Sequence, residues 1–124
     1  MKVITIKEPW ASLIASGYKK YEFRTWKTNY RGELYIHAGL GNDKSVMFDH
    51  LIKKHNGYII AKCNLVDVKK VDIEFKKELM NNNEHGIYDS IINDTRETLY
   101  AFCLDNVTKI DKFKATGKLS LWNM

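Results

Sequence analysis

A chain of 124 residues with 44% hydrophobic residues, seven Gly and one Pro is long enough to bury a core without metals or disulfides, and too apolar to be disordered. Its 20 Lys and Arg against 15 Asp and Glu give +5, which favours a polyanionic partner over a cationic one. No run approaches the roughly 18–20 apolar residues of a membrane helix, and the N-terminus MKVITIKEPW lacks a signal-peptide layout, so a cytoplasmic location without membrane attachment is expected.

Residues 2–6 alternate weakly and predict a strand. Pro9, followed by the run from Trp10 to Ser16, predicts a helix with proline in its first turn and Gly17 as its stop. Lys20 to Thr25 alternates in period two, with Tyr21 and Phe23 on one face and Lys20, Glu22, Arg24 and Trp26 on the other. Glu33 to Ala38 predicts another strand, ended by Gly39 and Gly41. Apolar residues at Val46, Met47, Leu51 and Ile52 predict a helix over 44–55, stopped at Asn56-Gly57. Tyr58 to Val71 reads as one bent strand or two short ones, Ile73 to Met80 as a helix, Asn81 to Asn83 as a turn and Ile87 to Ile92 as a short helix. Leu99 to Val107 is a further strand, and the tail from Gly117 to Met124 ends on an apolar plug. Cys63 and Cys103 have no C-x-x-C spacing and read as buried thiols. With no repeat or linker, 1–124 is expected to be a single α+β domain, a small, mostly antiparallel β-barrel of about five to six strands with flanking short helices.

The charge is uneven. Residues 1–44 carry a local +4 and 109–124 a local +3, whereas 45–108 carry −2. A barrel that brings the two ends together would gather the basic parts on one side. The acidic middle offers a protein-interaction, coactivator-like surface as an alternative to nucleic-acid binding.

The densest polar and aromatic cluster runs from Gly17 to Arg31. Lys19, Arg24 and Arg31 suit phosphate oxygens, Trp10, Trp26 and Tyr30 offer faces for an unstacked base, and Glu22 can accept from an exocyclic amine such as cytosine N4. The bland alternative pairs Glu22 with Arg24 or Lys19, and surface pairs of that kind contribute only about 0–1 kcal/mol. Trp10, on the apolar helix face, reads as core ahead of ligand platform. His37 is either a hydrogen-bonded strand residue or a base in a cleft. Four His and two Cys show no ligand spacing, so neither metal nor cofactor is expected.

Gly17-x-Lys19-x-x-Glu22-x-Arg24-x-Trp26 is similar to the G-x-K-x-x-E-x-R signature of the ASCH (activating signal cointegrator homology) domain. The flanks agree in order: Pro9 to Ile14, Tyr30-Arg31-Gly32 with Ile36-His37-Ala38, Leu99 to Phe102, and Gly117 to Trp122. The resemblance implies a PUA-like barrel with a cleft between barrel and helix, and an RNA, nucleotide or nucleoside ligand bound through Lys19, Glu22, Arg24, Trp26, Tyr30, Arg31 and His37. Some relatives are ribonucleases, and one branch hydrolyses N4-acylated cytidine with a signature lysine, a threonine and a distant glutamate. Lys19 matches that lysine, Glu22 stands where the threonine would be, and Glu84 or Glu78 would supply the distant acid. If the chain is an enzyme, Lys19 and Glu22 would be its catalytic residues, and a lysine beside a carboxylate is held protonated unless burial outweighs the pairing.

Overall fold

A computed structural model describes residues 1–124, in the order β1 (Lys2–Glu8), α1 (Trp10–Ala15), β2 (Tyr21–Arg24), β3 (Gly32–Asn42), β4 (Tyr58–Lys70), α2 (Ile73–Asn81), a 3-10 turn (Glu84–Gly86), α3 (Asp89–Ile92), β5 (Tyr100–Lys114) and β6 (Leu121–Asn123). The six strands form one sheet in the order β2-β5-β4-β3-β1-β6, antiparallel throughout except for the β1–β3 pair. The expected barrel is therefore open: edge strands β2 and β6 do not pair. A side chain spans the gap instead, with Arg24 Nη2 on β2 donating to the Thr5 carbonyl on β1 at 2.7 Å. β6 lies against β1, so the two basic ends of the chain are neighbours.

Alternation along the central strands sends Ile4, Ile6, Leu34, Ile36 and Leu65 to one face, where Ala11 and Ile14 of α1 cover them with Phe102. Leu13, on another side of α1, joins Phe48, Phe75, Leu79, Tyr88 and Leu99 in a second cluster beneath α2 and the 84–92 segment. α1 is the wedge between the two cores. Its end is a Schellman turn: Gly17, at φ +83°, donates to the Ile14 carbonyl at 3.0 Å, and Tyr18 donates to that of Leu13 at 3.0 Å.

The structure departs from the sequence reading at four places. Residues 44–55 form turns, not a helix, with a single helix-like bond from Ile52 N–H to the Phe48 carbonyl. That segment is pinned at both ends to Glu8, by Asp43 N–H on its carbonyl and His55 N–H on its carboxylate, and these tertiary bonds override the 3.6-residue pattern. β3 runs through Gly39 and Gly41 to Asn42, because its partners continue alongside. β5 runs seven residues beyond Val107, to Lys114, because β4 offers it a ladder. Only Trp122 of the tail plugs the fold, beside Val3 and Ile59, while Leu119 is 93% exposed. Cys63 and Cys103 are free and buried, and burial pushes the Cys63 thiol up to about 12.

Candidate functional site

The Schellman turn that stops α1 also aims Lys19. Tyr18 and Lys19 N–H groups both close on the Leu13 carbonyl, which turns the Lys19 side chain under the helix and toward β2. There Nζ donates to Glu22 Oε1 at 3.1 Å, while Arg24 donates through Nε to Glu22 Oε2 at 3.0 Å and through Nη2 to the Thr5 carbonyl. Glu22 and Arg24, two apart on one strand, share a face as the alternation predicts. The pair is not the solvated surface pair of the bland reading, for Lys19 is 4% and Glu22 7% exposed. Lys19 Nζ lies 5.3 Å from the Trp10 ring and 5.2 Å from that of Phe23, so aromatic faces take up charge that a single carboxylate oxygen leaves over. Arg24 Nη1 has no partner within the chain and is a free donor pair.

These three residues line a cleft of about 460 Å³ between β1, α1 and the 87–96 segment. Its walls hold Trp10, whose preferred sequence reading is core, and three residues that the sequence does not point to: Asp43, Ser90 and Arg96. Trp10 is half-buried, with Nε1 donating to Asp43 Oδ2 at 3.2 Å, so it is a wall and not only core. Lys7, Lys19, Arg24 and Arg96 outnumber Glu22 and Asp43, leaving the cleft cationic. The helix-forming pattern at Ile87 to Ile92 is legible, but its packing against Leu13 of α1 and Phe75 and Leu79 of α2 depends on contacts far apart in the chain.

The remaining expected site residues lie elsewhere. Trp26 packs edge-on against Phe102 at 5.1 Å, with the Arg24 guanidinium 5.9 Å from its ring. Tyr30 donates its hydroxyl to the Glu33 carbonyl, and Arg31 binds the carbonyls of Thr28 and Tyr30 and stands 3.8 Å from Asp67. Glu84 borders a separate hollow beside Tyr18, Glu78 and Tyr88. His37 is 1% exposed beneath the largest cavity, about 860 Å³, on the other face of β1 and β3. Trp122 Nε1 donates to Thr5 Oγ1, Thr5 donates to His37 Nδ1 at 3.0 Å, and His37 Nε2 donates to the Ala115 carbonyl at 2.8 Å, so both ring nitrogens are used. The strap over this chain passes so close that a Cβ on Gly117 would lie 2.8 Å from Thr5 Cγ2. Size alone would favour this cavity, but the buried Lys19–Glu22 pair is in the smaller cleft.

Burial would push the Glu22 carboxyl up, yet the charges of Lys19 and Arg24 outweigh it and hold the group below its ordinary value of 4.5. Lys19 is also held below its ordinary 10.5, because burial, helped by Arg24, outweighs Glu22. The lysine is thus shifted in the direction that the sequence reading made conditional on burial. Since the Glu22 value is lower folded than unfolded, its contribution to stability is complete above about pH 4.5 and is lost as pH falls through the folded value. Thermal unfolding between pH 7 and pH 3 is expected to show a steeper acid loss in the wild type than in Glu22→Gln, and equal slopes would contradict the pairing.

The family model for the ASCH domain matches residues 4–119. The crystal structure of an ASCH protein from Zymomonas mobilis is similar in fold, with a TM-score of 0.68 at 17% identity, covering 99% of this chain and 86% of that chain. A tyrosine-to-phenylalanine variant of the Zymomonas mobilis protein gives 0.65 at 16% identity, covering 99% and 88%. A serine-to-alanine variant gives 0.64 at 16%, covering 99% and 87%. No curated protein matches the sequence.

Proposed function

Because the chain belongs to the ASCH domain family, we propose that it binds RNA by drawing one unstacked nucleotide into the Lys19–Glu22–Arg24 cleft. The observation that carries the reading is the buried, hydrogen-bonded array of two cations and one carboxylate at the base of a cationic cleft of about 460 Å³. That volume falls within the about 300–1,000 Å³ usual for small-ligand pockets, enough for a nucleotide and too confined for a duplex. Arg24 Nη1 supplies free donors for phosphate or a base edge, Glu22 has lone pairs left for an exocyclic amine, and Trp10 offers an aromatic wall.

Fluorescence anisotropy with a labelled single-stranded oligoribonucleotide tests this. Arg24→Gln is expected to weaken binding about tenfold and to lower the slope of log affinity against log salt by about one. Lys19→Met, which leaves Glu22 paired with Arg24, is expected to act in the same direction. Unchanged affinity in both variants overturns the reading.

One observation favours a second reading, hydrolysis of N4-acylated cytidine. Burial lowers Lys19, which favours an amine able to take a proton, and Ser90 brings a hydroxyl into the same cleft. Glu22 stands where that branch carries threonine, so the hydroxyl would have to come from elsewhere. Product from N4-acetylcytidine, lost in Lys19→Met, supports hydrolysis, and no product at high protein concentration excludes it.

A further inference from the structure

A second concave site shares no residue with the cleft and lies on nearly the opposite flank of α1, since Trp10 faces the cleft while Ser12, Ala15 and Ser16 face this one. It is a cavity of about 320 Å³, backed by Ser12, Ile52 and Ile60 and rimmed by Lys53, His55, Lys109 and Lys112.

The rim is built by a break in the ladder. In an unbroken strand Lys109 and Lys112, three apart, would face opposite ways. Ala61 of β4 pairs with Lys109 and Ile59 with Phe113, so β5 carries two more residues than its partner over this step, and the resulting bulge turns both lysines toward the cavity. Lys112 Nζ donates to His55 Nδ1 at 3.2 Å and sits 4.6 Å from the Tyr58 ring centre.

None of the three lysines has an acidic partner, for the chain's ion pairs involve other residues. The carboxylate behind the cavity, Glu8, is buried and already takes Ser12 N–H, Ser12 hydroxyl and His55 N–H. Asp111 is exposed and does not line the cavity. Burial first, and then the charges of Lys112, Lys53 and Lys109, hold the His55 imidazole below its ordinary value against the pull of Glu8. The rim therefore carries three exposed ammonium groups with no acidic partner of their own, beside an imidazole whose nearby carboxylate is already occupied, an arrangement that an anion relieves.

We propose that this cavity is a phosphate-binding site, in which Lys53, Lys109 and Lys112 hold the oxygens of a phosphoryl group and His55 faces it from the inner wall. A tetrahedral anion can accept from several ammonium groups at once, and the apolar sides formed by Ile52, Ile60 and Ile110 suit the carbon skeleton that carries the phosphate. The phosphate is either that of an RNA backbone or the terminal group of a small metabolite.

The full chain, labelled with ¹⁵N, is titrated with inorganic phosphate against chloride at equal ionic strength. Saturable shifts at His55 and at the amides of 109–112 are expected, with phosphate raising the melting temperature. Lys109→Gln and Lys112→Gln should each weaken phosphate about tenfold, and without phosphate Lys109→Gln, which loses none of the contacts that Lys112 makes with His55 and Tyr58, should melt above the wild type because a repulsion is gone. Displacement of phosphate by an oligouridylate with no terminal phosphate makes the RNA backbone the ligand, and displacement by a nucleoside monophosphate alone makes it a terminal phosphate. Shifts no larger than those in chloride, or wild-type phosphate affinity in both variants, overturn the proposal.

Discussion

Replacing Glu22 by alanine is expected to destabilise the fold by about 3–5 kcal/mol, the cost of leaving a buried charge without its partner. Lys19 Nζ has one carboxylate oxygen as its partner and is 4% exposed, so it cannot turn to water when that oxygen is removed. Arg24 loses its Nε and Nη2 contacts to Glu22, but it keeps the Thr5 carbonyl and its side chain is 23% exposed, so it relaxes at lower cost. Chemical denaturation of Glu22→Ala at pH 7 gives the magnitude, and two further results identify the cause. Without Glu22 the burial that already lowers Lys19 acts unopposed, so stability of the variant should rise with pH up to about the unfolded value of 10.5, where wild-type stability changes less. Removing both charges in Lys19→Met with Glu22→Leu should restore much of the loss, because apolar groups of similar volume need no partner. A loss below about 1 kcal/mol in Glu22→Ala would place this pair among solvated surface pairs and remove the basis of the cleft reading.

What was legible in the sequence was local. Gly17 marks the end of α1 because a left-handed residue followed by a hydrophobic stop is a one-turn event, and the same turn explains why Lys19 stands two residues after it. Glu22 and Arg24 share a face by strand alternation alone. Trp10 was assigned to core because the helix pattern shows an apolar face but not that Asp43, 33 residues on, would hold the indole at the edge of a cleft. Arg96 and Ser90 reach the same cleft through the packing of Leu13 with Ile87 and Leu99, contacts made across most of the chain. His37 went the other way. Its neighbours Ile36 and Ala38 point into the main core, so alternation turns the imidazole to the opposite face of the sheet, away from Lys19. The helix predicted over 44–55 failed for a related reason. Of the apolar positions behind that pattern Ile52 is buried but Met47 is 79% exposed, and the backbone is fixed on either side, at Asp43 and His55, by bonds to Glu8.

Glu8→Ala is accordingly expected to cost about 3–5 kcal/mol, comparable to the loss of Glu22 although no cation is involved. Glu8 is 0% exposed, and three donors converge on its carboxylate: Ser12 N–H at 2.8 Å on Oε1, with the Ser12 hydroxyl at 2.5 Å and His55 N–H at 2.7 Å on Oε2. Hydrogen bonds to a charged group are worth about 1.5–3 kcal/mol each, and alanine would also leave the buried Ser12 N–H and the part-buried His55 N–H without an acceptor. Glutamine does not rescue the site. Its amide nitrogen would present hydrogens either to Ser12 N–H or to His55 N–H, a donor against a donor, so Glu8→Gln should fall well short of the wild type. The loss should also be located in the molecule, because this carboxylate ties the first turn of α1 to the start of β4 across the irregular 43–57 segment. Native-state hydrogen exchange should show Ser12 and His55 amides losing protection together, while Ile36 and Phe102 in the central sheet keep theirs up to global unfolding. If Glu8→Ala unfolds within about 1 kcal/mol of the wild type, or if His55 stays protected, the 43–57 segment is held by the burial of Phe48 and Ile52 and not by Glu8.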